Sequence, residues 1–216
     1  MNNQTLESED FSGQDLSGRY YSHCHFYACR FDRCDLTDTV FEHCSFIEPG
    51  AQGACTFSFA KLNDARFEQC KLAMVNFKGA ECLGIVLQHC DMKGADFTQA
   101  SFSNQISHNA YFCSATITDC NLSYVNLSGA RLEACKLSDN RWIDANLSGA
   151  SLRGADLSRG EFSPECWYQC ALQNADLRHC DLVGLDIRRV DVTGIKITQW
   201  QQQELLGQLG IIVEPD

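Results

Sequence analysis

His23-Cys24-His25, with Cys29 and Cys34 close behind, is the densest set of metal-ligating side chains in the sequence. Imidazole and thiolate at short spacing are the ligands of a tetrahedral zinc centre. His43, His89 and His179 repeat the pairing, each directly preceding a cysteine, Cys44, Cys90 and Cys180. The chain of 216 residues holds 14 cysteines, which in an exported protein would imply a disulfide framework. Its first ten residues have neither a basic n-region nor an apolar stretch, so they are not a signal peptide. No run of 18 apolar residues suggests a membrane span. The expectation is a cytoplasmic protein whose cysteines are thiols. What the thiols and imidazoles can do depends on the elements that position them.

Those elements repeat every five residues. Large apolar side chains recur at Phe11, Leu16, Tyr21, Phe26, Phe31, Leu36, Phe41 and Phe46, slip by one position, and resume at Phe57. From there they run through Leu62, Phe67, Leu72 and Phe77 to Phe102, fail at Ser107, and continue from Phe112 to Ile197. Twelve of the 13 phenylalanines lie in this column, Phe59 being the exception. The position two before each large residue is small, and 11 of the 14 cysteines share it with alanine. A period of five matches neither an α-helix nor a flat strand. One large and one small residue of every five point inward, and the other three point outward.

That geometry disposes of most of the chemistry. Cys24, Cys29 and Cys34 fall in the small inward slot while His23 and His25 face out, so they cannot converge on one metal ion. Cysteines one coil apart would stack at about 4.8 Å, beyond the usual disulfide spacing. Thiols filling a slot between alanine and valine are the better expectation. Inward positions are apolar and outward ones are spread over flat faces, so no catalytic set, glycine-rich phosphate loop, cofactor or metal is expected. With 17 basic against 28 acidic residues, net −11, direct nucleic-acid binding is not expected either.

Two interruptions and a tail depart from the repeat. The segment 47–54 breaks phase and carries Glu48, Pro49, Gly50 and Gln52, so it reads as a protruding loop. The segment 103–112 keeps phase by count, yet within its run Asn104, Gln105, Ile106, Ser107, His108 and Asn109 the two inward slots hold Gln105 and Ser107 where alanine and leucine belong. Irregular loops on a rigid scaffold are where recognition concentrates. After Ile197, Thr198 and Gln201 read as a capping box opening a short helix, with Gly210 as its C-terminal cap. Trp200, Leu205, Leu206, Leu209, Ile211, Ile212 and Val213 are more apolar surface than a simple cap needs, and they are expected to pair two rods end to end.

The pattern is clearest at Ala145-Asn146-Leu147-Ser148-Gly149 and Ala155-Asp156-Leu157-Ser158-Arg159, and it resembles the pentapeptide-repeat family over about residues 9–198. The resemblance implies an all-β fold, a right-handed quadrilateral β-helix with four pentapeptides per coil. Thirty-seven positions make roughly nine coils, a rod of about 43 Å at the strand spacing. The expected division is a β-helix over 1–198 and a helical dimerisation tail over 199–216. Length, the two loops, the C-terminal helix and the runs Phe112-Cys113-Ser114-Ala115, Asn121-Leu122-Ser123-Tyr124, Asn140-Arg141-Trp142-Ile143 and Leu185-Asp186-Ile187-Arg188 are similar to the Qnr quinolone-resistance family. That resemblance implies a homodimer joined through its C-termini. It also implies binding to DNA gyrase and topoisomerase IV that protects them from quinolones, with both loops contributing. A scaffolding repeat protein without a topoisomerase target is the alternative.

The family is described as imitating DNA, and the charges qualify this. Residues 1–48 carry 9 acidic and 3 basic side chains, 49–136 carry 7 and 7, and 137–216 carry 12 and 7. A duplex of about 43 Å would carry roughly 25 negative charges, so the rod has less than half that density. Imitation is at best regional. Asp176, Asp181, Asp186 and Asp191 are the densest stripe, ringing about one coil, and the expectation is that this acidic zone meets a basic saddle on the topoisomerase.

Overall fold

The structure, a computed structural model, describes residues 1–48, 50, 53–107 and 110–214. The chain winds into a four-sided rod of parallel coils. On one side the strands Tyr20–Ser22, Val40–Glu42, Arg66–Glu68, Ile85–Gln88 and Ala115–Thr118 form a five-stranded parallel ladder. Its register is Tyr21↔Phe41↔Phe67↔Leu87↔Ile117. Single parallel bridges continue the pairing up the other sides, as at Asp10↔Arg30↔Thr56↔Asn76↔Asp96↔Asn126↔Asn146. Nine coils result among the described residues, the first carrying Leu6 and the last ending at Ile197.

The repeat letters acquire separate physical jobs. The large residues fill the axis and are almost all fully buried, from Phe26 to Leu182. On one side they form a continuous aromatic stack, Phe11–Phe31–Phe57–Phe77–Phe97, with centroids 4.9, 4.7, 5.2 and 4.6 Å apart. Each stacked pair adds about 0.5–1.5 kcal/mol beyond its area burial. Toward the C-terminus leucine takes over the column, with Trp142 stacked on Phe162 at 5.8 Å. The Asp or Asn before the large residue is a backbone cap. Its side-chain oxygen accepts the backbone N–H two residues on, as at Asp15–Ser17 (3.0 Å), Asn76–Lys78 (2.8 Å) and Asp156–Ser158 (3.1 Å).

The corner that follows demands a left-handed backbone. Among the described residues 21 non-glycine positions have φ between 51° and 65°, and glycines such as Gly13, Gly79 and Gly129 take most of the remaining corners. Such residues are uncommon at that φ, so the stacked coils must hold them there. Phe59, Met74 and Tyr124 stand at corners, which is why three large apolar side chains are exposed on a well-packed rod. The next coil makes room for two of them. A Cβ at Gly79 would lie 2.4 Å from the Phe59 ring, and one at Gly94 would lie 2.5 Å from Met74 Sδ.

The C-terminus closes the rod with amide side chains. Thr198 opens a 3-10 turn, Gln199–Gln201, followed by the helix α1, Gln202–Gly207. Gln201 is buried, accepts the Thr198 backbone N–H at 2.7 Å and donates to the Leu177 and Cys180 carbonyls at 2.9 and 2.8 Å. Gln208 likewise accepts from Ile187 N–H and donates to the Leu185 carbonyl. These amides supply the partners that a tenth coil would have supplied. Gly210 at φ 75° and the Ile211 N–H to Leu206 carbonyl bond (3.1 Å) end the helix as its sequence predicts.

Candidate functional site

The two interruptions leave the rod in different ways. Strand partners are normally 20 residues apart. They become 26 apart across the first loop, as in Phe41↔Phe67, and 30 apart across the second, as in Leu87↔Ile117. The first loop therefore inserts six residues and the second ten. The first leaves between Phe46 and Phe57, pinched by an antiparallel Ile47↔Ala54 bridge. The second leaves between Phe102 and Ile117, two sides further round the coil, so the loops project from diagonally opposite corners two coils apart.

In the first loop Glu48 and Gly50 are exposed; Pro49 and Gln52 lie outside the described residues. The second loop is a two-stranded antiparallel hairpin, Ser103–Ser107 against Ala110–Cys113. Asn104, Gln105, Ile106 and Ser107 are all exposed on its first strand, and His108 and Asn109 lie outside the described residues. Here the sequence reading needs a correction. Ala110 and Phe112, assigned to inward slots, sit on the second strand and are exposed, Phe112 at 45%. Ser107 and Phe112 leave the inward column and Leu6 joins it, which keeps the number of coils at nine.

The hairpin is anchored from one side. Tyr111 Oη donates to Glu133 Oε1 at 2.9 Å and Cys113 Sγ donates to Glu133 Oε2 at 3.0 Å. The Arg131 guanidinium lies 4.7 Å above the Tyr111 ring. Partial burial alone would raise the Glu133 carboxyl, but the Cys113 thiol, the nearby Ser151 hydroxyl and the Tyr111 hydroxyl together outweigh it and hold the group below its usual range. Burial and then the Glu133 carboxylate push the Cys113 thiol up to about 12.

The four acidic residues are arranged as a ring, one on each side of the rod, rather than as one acidic face. Asp176 is 6% exposed and bound to Arg178 at 2.7 Å; Asp186 is paired with Arg188 at 2.8 Å. Asp181 caps the Val183 N–H. Asp191 accepts from Thr193 and Gln173, the Thr193 hydroxyl first among the causes that hold its carboxyl at about 2. A single acidic surface is therefore not what these four residues make.

At the C-terminal end Trp200, Leu209, Ile211 and Ile212 are exposed, at 60, 52, 47 and 81%. Leu205 is buried against the rod, and Leu206 and Val213 are half-buried. The apolar tail divides accordingly into residues that seal the last coil and residues left facing outward.

The cysteine–histidine cluster separates as the repeat requires. Cys24, Cys29 and Cys34 are buried, and His23 and His25 face solvent, His23 stacked on His43 at 4.7 Å. Among the described residues no group of three or more His, Cys, Asp or Glu side chains is placed to hold a metal ion. All 14 cysteines are free thiols. Cys24, Cys44, Cys70, Cys90 and Cys120 stack in one column, and several donate to a carbonyl of the preceding coil, as Cys70 to Phe41 at 3.3 Å. Burial pushes Cys34, Cys135 and Cys180 up to about 11, far from nucleophilic thiolates. Among the described residues no helix is long and apolar enough to cross a membrane.

A family model of pentapeptide repeats matches residues 53–81, 75–104, 108–133, 130–163 and 168–199. A pentapeptide repeat protein of Vibrio parahaemolyticus is 51% identical over 142 residues, 66% of this chain and 66% of its own. A quinolone resistance pentapeptide repeat protein of Scandinavium goeteborgense is 44% identical over 118 residues, 55% of each chain. The chain thus spans less than two thirds of the length of the curated relatives it matches. Among solved structures, full-length QnrB1, a plasmid-mediated fluoroquinolone resistance protein, superposes with a TM-score of 0.92 at 41% identity, covering 98% of this chain and 99% of that one.

Proposed function

The chain belongs to the pentapeptide-repeat family and is a Qnr-type member of it, and from that premise we propose that it binds bacterial type II topoisomerases, DNA gyrase and with it topoisomerase IV, and protects them from quinolones. The observation that carries this reading is the near-complete superposition on a fluoroquinolone resistance protein, over a rod that carries two excursions. The excursions supply the specific contacts, because the rest of the surface is flat and repetitive. Two protomers join through the outward part of the tail, Trp200, Leu209, Ile211 and Ile212, with Leu206 and Val213 at its margin.

Imitation of DNA is limited in this reading. Asp176 and Asp186 are neutralised by neighbouring arginines, so the ring of four acids contributes long-range attraction at most. Asp→Asn changes at positions 176, 181, 186 and 191 keep the backbone-capping oxygen and remove the charge. A salt-independent, unchanged gyrase affinity in that variant would remove the electrostatic part of the proposal.

The deciding test is a supercoiling assay with purified gyrase and a quinolone. Added protein should restore supercoiling, and removal of 48–53 or of 103–112 should abolish the effect while the rod stays folded. No restoration at any ratio of protein to gyrase would overturn the functional reading and leave the scaffolding alternative.

A further inference from the structure

The second loop is built into the rod through one side chain. Cross-strand partners in its hairpin share a side, so Cys113 with Ser103 and Tyr111 with Gln105 face one way, while Phe112 with Asn104 faces the other. Only the first side meets the following coil. There both oxygens of one carboxylate, Glu133, are taken by the hairpin's hydroxyl and thiol, and Arg131 from the same coil covers the Tyr111 ring. On the other side Asn104 overhangs a shallow groove lined by Asn63, Glu81 and Ser101. Ile106 and Phe112 remain 69% and 45% exposed.

The repeat does not require any of this. The equivalent outward position one and two coils later is Arg153 and Gln173, which bond to each other at 2.9 Å and hold nothing outside the rod. A two-stranded hairpin on its own is at best marginally stable in water, so its orientation depends on contacts with the scaffold. Glu133 supplies two of them, both to a charged acceptor and hence stronger than neutral hydrogen bonds.

We propose that Glu133 is a positioning residue for the second loop: it latches the 103–113 hairpin to the following coil, fixing the side on which Phe112 is presented. In the latched state the Tyr111 side is committed to the rod and the Phe112 side is available to a partner. Released, the hairpin samples many orientations, and any partner that recognises one of them binds with a lower apparent affinity in proportion to that fraction. The consequence for drug protection rests on the function proposed above; the latch itself does not.

The test is amide hydrogen exchange across the full-length protein, comparing Glu133→Ala, Glu133→Gln and Tyr111→Phe with the unaltered chain. Glu133→Ala should speed exchange of the 103–113 amides about tenfold or more and leave the amides of 115–118 and 131–137 unchanged. Glu133→Gln keeps a neutral acceptor and Tyr111→Phe removes one of the two donors, so both should fall between. Cooperative thermal unfolding, followed by circular dichroism, should stay the same in all three. Unchanged hairpin exchange in Glu133→Ala overturns the proposal. So does exchange that rises equally in coil and hairpin, because Glu133 would then be part of the coil's own stability. In the supercoiling assay the same variant should need a higher protein concentration for equal protection. If the exchange result holds and neither the unaltered chain nor any variant protects gyrase, the latch stands and the functional reading falls; equal protection by all of them would overturn only the hairpin's part in it.

Discussion

The two loops carry opposite lessons about a periodic chain. The first inserts six residues into a coil of 20, and the column of large residues slips by one, so the interruption announces itself. The second inserts ten, two whole repeat lengths, and the column stays in phase by count. Ala110 and Phe112 even occupy the right numbered slots, yet they lie on a solvent-exposed hairpin. Period counting detects an insertion only modulo five. A polar residue in an inward slot, Gln105 and Ser107 here, is the signal that remains, and it marks where the excursion begins better than where it ends.

Register provides the sharpest way to break this comparison. Excising residues 103–112 leaves Phe102 five positions from Ile117, and excising 48–53 leaves Phe46 five from Phe57, so both rods should stay continuous. Excising nine residues, 104–112, instead leaves one residue too many and forces a bulge into the coil. The nine-residue variant should lose cooperative unfolding, or several kcal/mol of stability by urea titration, since packing and pairing beyond the cut must rearrange. Equal stability in the nine- and ten-residue excisions would refute the register argument.

Single substitutions sharpen it further. Leu147→Ala, in a fully buried axial position, should cost about 2–5 kcal/mol by chemical denaturation. Phe112→Ala should cost less than about 0.5 kcal/mol although it occupies the same repeat slot, as expected of an exposed position. Asn140 occupies the small inward slot directly after Cys120 in its column. Its amide accepts the Cys120 N–H at 2.8 Å and donates to the Ile117 and Leu137 carbonyls at 2.6 and 2.9 Å. Asn140→Ala leaves these groups unpaired and should destabilise by about 1–3 kcal/mol, in contrast to Ala150→Gly on a regular coil, which should cost roughly 0.5–1 kcal/mol.

The smallest effect distinguishes the capping acids from the loops. Asp10, Asp15, Asp35, Asp186 and Asp191 are held below the usual carboxylate range, mainly by hydroxyl, amide or arginine donors from nearby residues. A depressed folded-state pKa contributes stability that is complete above the unfolded value near 4 and is lost as pH falls through the folded one. Rod stability should therefore be flat from about pH 7 to 5 and decline below about pH 4, with the same profile after excision of the first loop and only a slight change after excision of the second, which takes Tyr111 from Glu133. A profile that changes with removal of the first loop would place titrating groups in that loop.

What the residues determined by themselves is the rod. A five-residue alternation of large, small and polar side chains has one economical solution, stacked coils with a shared axis, because no coil can bury its large residue without the next. The fate of His23, Cys24 and His25 followed from that alternation; the capping helix was legible separately, from Thr198 and Gln201 three residues apart. The tertiary structure decided where the excursions point, that Phe112 is outside, and that Glu133 holds the hairpin. Each of these depends on neighbours about 20 or more residues away, or on the number of residues turned out of a coil. A periodic sequence repeats the same local instruction everywhere and so cannot encode such exceptions in the period itself.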